Sequence, residues 1–206
     1  MNGRRLLSVL LVLVLFSVAA NAQVVKASIG VTGGGVASMM SDSKSSSLGS
    51  AYLNGYGGAF LTMKFGRVIG LRGGVNYLMQ GSEYELSGKE MTAEQTYMNI
   101  PFTLLLNVKS GLSLECGFYR NVLVKSALIE HGGREIATDY DNNVQPSNFG
   151  AVAGLTFNMG RYVFLSFKYH HGLTDSYVIN KKGCSYDFAT VGLGFNVINT
   201  RKKAFK

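Results

Sequence analysis

Apolar and polar side chains alternate along eight stretches of this chain, and the connectors between them alternate in length, about two to four residues and then more than ten. A strand turns successive side chains to opposite faces, so each stretch reads as a strand with one greasy and one polar face. From Leu53 to Phe65 the odd positions are Leu53, Gly55, Gly57, Ala59, Leu61, Met63 and Phe65, set against Tyr52, Asn54, Tyr56, Thr62 and Lys64. Ile69, Leu71, Val75, Tyr77 and Met79 oppose Arg72, Asn76 and Gln80. Met98, Ile100, Phe102, Leu104, Leu106 and Val108 oppose Tyr97, Asn99, Thr103 and Asn107. The split returns in Leu112 to Lys125, Phe149 to Asn158, Val163 to Leu173 and Asp187 to Val197, and more weakly in Val25 to Gly33. Abundant Gly (26) with scarce Pro (2) suits strands and tight bends.

Which face points outward follows from what each face carries. A soluble sandwich or lipocalin-like fold places its largest apolar residues inside and its charges outside. Here the polar face carries Lys26, Lys64, Arg72, Glu115, Lys125 and Lys168 beside Gly58, Gly70, Gly74, Gly150, Gly154, Gly192 and Gly194. Charges beside glycines fit a narrow, hydrogen-bonded lumen, and a mid-strand face without charge is what hydrocarbon requires. Arg120 is the exception on the apolar parity; it stands near the loop end of its strand, where it reaches toward headgroups or is turned by a bulge. The expected fold is therefore all-β, an eight-stranded antiparallel up-and-down transmembrane β-barrel over 23–198, followed by a basic tail over 199–206.

The connectors agree. Gly66-Arg67, Lys109-Ser110-Gly111 and Met159-Gly160-Arg161 read as tight turns, alternating with long segments near 39–51, 80–95, 127–147 and 174–185. Short periplasmic turns and long external loops are the usual asymmetry of outer-membrane barrels, and an even strand count returns both termini to the periplasm. Charge follows the same polarity: ten of the 12 acidic residues lie in the long segments. The short-turn end holds Arg67, Lys109, Arg161, Arg201, Lys202, Lys203 and Lys206. This basic rim reads either as a surface for anionic headgroups or as a solvated turn surface. A basic chain of this kind is not a nucleic-acid binder, because it carries no such motif and is exported.

Export is written at the N-terminus. Arg4 and Arg5 precede an apolar run from Leu6 to Ala19, and Ala20-Asn21-Ala22 is a small-x-small cleavage site, so 1–22 reads as a signal peptide removed before Gln23. No Cys stands directly after the cut, and no later run reaches the ~18 apolar residues of a membrane helix. Cys116, mid-strand, and Cys184, in a distal loop, are expected to be free. Pro101 within a strand points to a local bulge, since it lacks a ladder donor.

An eight-stranded barrel is just wide enough to be filled by side chains. Tyr56, Arg72, Glu115, Tyr119 and Lys168, with Lys26, Lys64 and Lys125 on the same face, are thus expected to form a positively charged plug in which Glu115 pairs with Arg72 or Lys168. Catalysis is not expected. A His-x-Ser pair of the kind lipid-modifying barrels use is missing after His170 and His171, and Ser176, Asp175 and His170 make a triad only on paper. His131, His170 and His171 lack metal-ligand spacing, and the glycines precede no helix of a dinucleotide site; no cofactor or metal is expected.

Several local runs carry a likeness. Tyr97-Met98-Asn99-Ile100-Pro101 enters one strand, Gly117-Phe118-Tyr119 lies in the next, and Phe149-Gly150 with Gly154 follows. Lys168-Tyr169-His170-His171-Gly172-Leu173-Thr174-Asp175 and the final Gly192-Leu193-Gly194-Phe195 complete the set. Together they resemble the PorT-like outer-membrane barrel family of Bacteroidota across nearly the whole mature chain. The resemblance implies an eight-stranded barrel and, for the family's namesake, a part in protein export through the type IX pathway. The ending departs from a common barrel pattern, with a basic tail and Phe205 penultimate in place of a terminal aromatic. The expected role is a scaffold or accessory component of protein export or envelope assembly, touching outer-membrane lipids, lipopolysaccharide and envelope or secretion-system proteins. A surface barrel that binds through its long loops is the alternative; a small pore or a lipid-modifying enzyme comes third.

Overall fold

A computed structural model describes residues 25–42, 50–86, 89–109, 111–130, 134–138, 145–174, 177–179 and 182–201. The expected signal peptide, Lys202, Lys203, Lys206, His131, Asp175 and Ser176 lie outside the described residues. The strands are β1 (Val25–Asp42), β2 (Ser50–Phe65), β3 (Ile69–Leu86), β4 (Lys89–Lys109), β5 (Leu112–Glu130), β6 (Arg134–Thr138), β7 (Ser147–Met159), β8 (Val163–Gly172), β9 (Tyr177–Ile179) and β10 (Lys182–Arg201). Eight of them, in the order β1-β2-β3-β4-β5-β7-β8-β10, form an antiparallel wall that closes where β10 pairs with β1. β6 pairs with β5 and β9 with β10, both at the end away from the short turns. Closure leaves no wall strand with an open edge, as a membrane demands.

All three short turns carry a glycine with positive φ: Gly66 at 66°, Gly111 at 95° and Gly160 at 83°. Such a backbone is open to glycine at little cost, which is why these connections close in so few residues. They share one end of the barrel with the first residue of β1 and the last of β10; this is the turn end. The opposite, hairpin end differs from the expected loops. From Asn76 opposite Asn99, β3 and β4 pair without interruption up to Leu86 opposite Lys89, so most of segment 80–95 is ladder. β5 likewise runs on to pair with β6. Beyond the greasy belt the alternation fades, yet backbone groups still need partners, and strand pairing supplies them. At the turn end β10 continues three residues past 198, with Arg201 opposite Lys26.

Outward positions form an apolar belt that includes Ile29, Leu61, Val75, Phe102, Leu114, Leu155, Phe167 and Leu193. Inward positions hold two kinds of residue. Phe60, Phe164, Tyr119, Phe188, Val36, Leu78 and Val152 are buried there beside polar neighbours, an aromatic filling that the polar parity concealed. The inward glycines give these rings room. A Cβ on Gly150 would strike the Tyr119 ring, one on Gly192 the Tyr56 hydroxyl, and one on Gly194 the Phe164 ring.

One expectation about irregularities is corrected. Pro101 causes no bulge: the β3–β4 ladder pairs Gly73 with Phe102 and resumes at Asn76 with Asn99 in the same register, skipping only the positions where Pro101 has no donor. Register shifts lie elsewhere, among them those at Ile29/Gly30, Ala51/Tyr56 and Asn107/Lys109. Thr96 pairs with Lys125 but Tyr97 with Leu123, which leaves Val124 extra in β5. One extra residue reverses the parity beyond it.

Candidate functional site

Glu115 of β5 is the centre of the barrel interior. Its Oε1 accepts from Arg72 Nη1 of β3 and from the Thr156 hydroxyl of β7, and its Oε2 from Lys168 Nζ of β8 at 2.8 Å and the Thr103 hydroxyl of β4 at 3.3 Å. Arg72 Nε donates to the Thr62 hydroxyl of β2 at 3.0 Å. Five wall strands thus meet on one carboxylate that is 2% exposed, and Arg72 ties in a sixth, β2. The Arg72 guanidinium also lies over the rings of Phe60 and Phe164, at 5.2 and 4.6 Å from their centroids, where the ring faces spread its charge. Toward the hairpin end, His170 stacks on Phe188 at 4.1 Å and Tyr119 meets both edge-on. Amides follow: Asn76 Nδ2 donates to Asn99 Oδ1 at 3.2 Å, Asn99 Nδ2 to Asn121 Oδ1 at 2.7 Å, and the Tyr97 hydroxyl to Gln95 Oε1 at 2.8 Å.

The structure sorts the residues expected in the lumen. Arg72, Glu115 and Lys168 meet as expected, and the carboxylate takes both cations at once. Tyr119 is buried but belongs to the aromatic layer, while Thr62, Thr103 and Thr156 supply the hydroxyls of the network. Lys26 and Lys64 stand nearer the turn end, at the barrel mouth. Lys125 is corrected outright: it is exposed, because the extra Val124 turns it away from the lumen. Arg120 does face outward, without a bulge, and its Nε donates to the Ser147 hydroxyl at 3.0 Å.

At the turn end the mouth widens into a vestibule of about 570 Å³, lined by Lys26, Lys64, Arg67, Arg72 and Arg161 with Asn107, Asn158, Asn196 and Asn199. Among the described residues no carboxylate lines it. Of the expected rim, Arg67 and Arg161 are exposed there, Arg161 over the Tyr162 ring at 5.5 Å, while Lys109 ends β4 and Arg201 ends β10. One constellation escaped the sequence reading. On the outer wall near the hairpin end, Asp187 Oδ1 lies 2.9 Å from His171 Nδ1 and accepts from Gly172 N–H, and its Oδ2 accepts from the Tyr169 hydroxyl at 3.2 Å. Adjacent His170 and His171 therefore face opposite sides of the wall.

A closed wall, a greasy outside and a side-chain-filled inside are now matched by sequence. Residues 21–178 fit the family model described as outer membrane protein beta-barrel domain. The chain belongs to that family. As a member of the outer membrane beta-barrel domain family it is placed in the outer membrane, and the family match stops just short of the closing strand β10. Two solved barrels share the architecture. Ail, the attachment invasion locus protein of Yersinia pestis, solved in complex with the heparin analogue sucrose octasulfate, is 14% identical, with 83% of this chain and 97% of that one covered at a TM-score of 0.50. Neisserial surface protein A is 12% identical, with 82% and 98% covered at a TM-score of 0.53. At such identities the likeness speaks for the fold alone, a closed eight-stranded up-and-down barrel. No curated protein matches the chain.

Proposed function

We propose that the protein is a non-enzymatic scaffold, an accessory component of protein export or envelope assembly of the kind the PorT-like resemblance implies. In this reading residues 1–22 are removed on export, the turn end with both termini faces the periplasm, and the hairpin end faces outward. One observation carries it: the interior is filled. The enclosed space at mid-barrel amounts to about 40 Å³, room for one to about three waters and for no conduction path, which leaves the two ends as working surfaces. The basic vestibule and rim offer the periplasmic end to anionic lipid or acidic protein segments. Deletion of the gene tests this: loss of secreted or surface-assembled proteins supports the scaffold, and an intact secreted and surface proteome refutes it.

A second reading, surface binding through the hairpins, is favoured by strand length. A membrane strand needs ~9–11 residues, whereas β3 has 18 and β4 has 21, so this hairpin projects well beyond the belt. The chemistry of this end differs from that of a heparin-binding surface: the four long segments hold ten acidic residues against Lys44, Lys89, Arg134, Lys181 and Lys182, a balance that suits cationic partners.

A further inference from the structure

Two cations, Arg72 buried and Lys168 half-buried, share one carboxylate in this lumen. Arg72 and Lys168 both bond Glu115, and Glu115 is the only carboxylate in contact with either among the described residues. The centre therefore keeps one positive charge in excess. Burying a charge without a partner is costly, and the cation–π contacts of Arg72 offset only part of that. Beside this centre lies the enclosed cavity of about 40 Å³. Both cationic residues line it, together with Thr32, Ser166, Thr190 and His170, and carboxylates are missing from its lining. Three further features suit it to an acceptor. Lys168 gives one of its three N–H donors to Glu115. Hydroxyl groups rotate to donate where an acceptor sits. His170 Nδ1, in a side chain only 4% exposed, has no partner. Arg72 also lines the turn-end vestibule, where Lys26, Lys64, Arg67 and Arg161 would gather anions from solution.

We infer that the cavity between Arg72 and Lys168 is a binding site for one small inorganic anion of halide size, chloride in ordinary media, reached through the basic vestibule. The anion completes the charge balance that Glu115 leaves unfinished and locks the plug. Larger oxyanions with their hydration are excluded by the volume and stay in the vestibule.

The test uses the full mature barrel folded in detergent micelles. Its thermal unfolding midpoint is followed by the loss of the fast-migrating unboiled form, in sodium chloride or sodium gluconate at equal ionic strength. The site predicts a midpoint that rises and saturates with chloride and stays flat with gluconate. In crystals grown in sodium bromide, an anomalous peak should lie within hydrogen-bonding reach of Lys168 Nζ. Lys168→Met balances the charge, so its midpoint should lose the chloride dependence. Equal midpoints in the two wild-type titrations, or a bromide-free lumen, would overturn the inference even if the variant failed to fold.

Discussion

Replacing Glu115 by Gln is the sharpest perturbation of the plug. The substitution keeps the shape but removes the negative charge and converts one acceptor oxygen into a donor. Whichever way the amide is turned, its NH₂ faces either Arg72 Nη1 and Thr156 or Lys168 Nζ and Thr103, so one cation meets a donor where it had an acceptor. Removing one member of a buried charge network typically costs about 3–5 kcal/mol, and Glu115 is 2% exposed with Arg72 at 7%. With a urea slope of about 1–3 kcal/mol/M, the unfolding midpoint should fall by on the order of 1–5 M. The assay is urea unfolding of the refolded barrel in lipid vesicles, read by tyrosine fluorescence and by gel mobility without boiling. Adding Lys168→Met should recover part of the loss, because the double variant again holds a single excess cation. A loss below about 0.5 kcal/mol, the range of surface substitutions, would refute the claim that five strands are tied through this carboxylate.

Gly194→Ala pushes a methyl into the Phe164 ring and should cost about 1–3 kcal/mol as overpacking, with part of that restored by Phe164→Leu in the same unfolding assay. Gly66→Ala, at φ 66° with open space around it, should cost about 1–2 kcal/mol from backbone conformation alone, and Gly66→Asn less, measured as shifts of the midpoint. Purified protein in a planar bilayer should give no steady conductance, because the interior is packed; long-lived open levels would contradict the plug. Cys116 is exposed on the outer wall, so in vesicles it should react with a lipid-soluble maleimide and resist a charged one, as mass spectrometry would report.

Parity carried much of this structure, since a period of two is visible in sequence wherever one face is greasy. It placed Arg72, Glu115 and Lys168 on one inner face and gave Arg120 its outward direction. It failed where the backbone loses count: Val124 is an extra residue with no sequence signature, and it moved Lys125 from lumen to surface. The aromatic filling of Phe60, Phe164 and Phe188 lies on the polar parity, with inward glycines making room for Phe60 and Phe164, but a two-letter pattern does not distinguish a greasy filling from a polar one. Asp187 was read as the start of a strand; its contacts with His171 and Tyr169 depend on the β8–β10 register, which only pairing reveals. The hairpin extensions were read as loops because strands that have left the hydrocarbon keep their ladder and lose their alternation.

The account rests on a closed barrel inserted in the outer membrane, and one measurement addresses that directly: the mobility of the protein from isolated outer membranes on a detergent gel, with and without boiling. The account predicts a membrane-bound protein whose unboiled form migrates faster and shifts on heating. A soluble protein with one mobility under both conditions would contradict it.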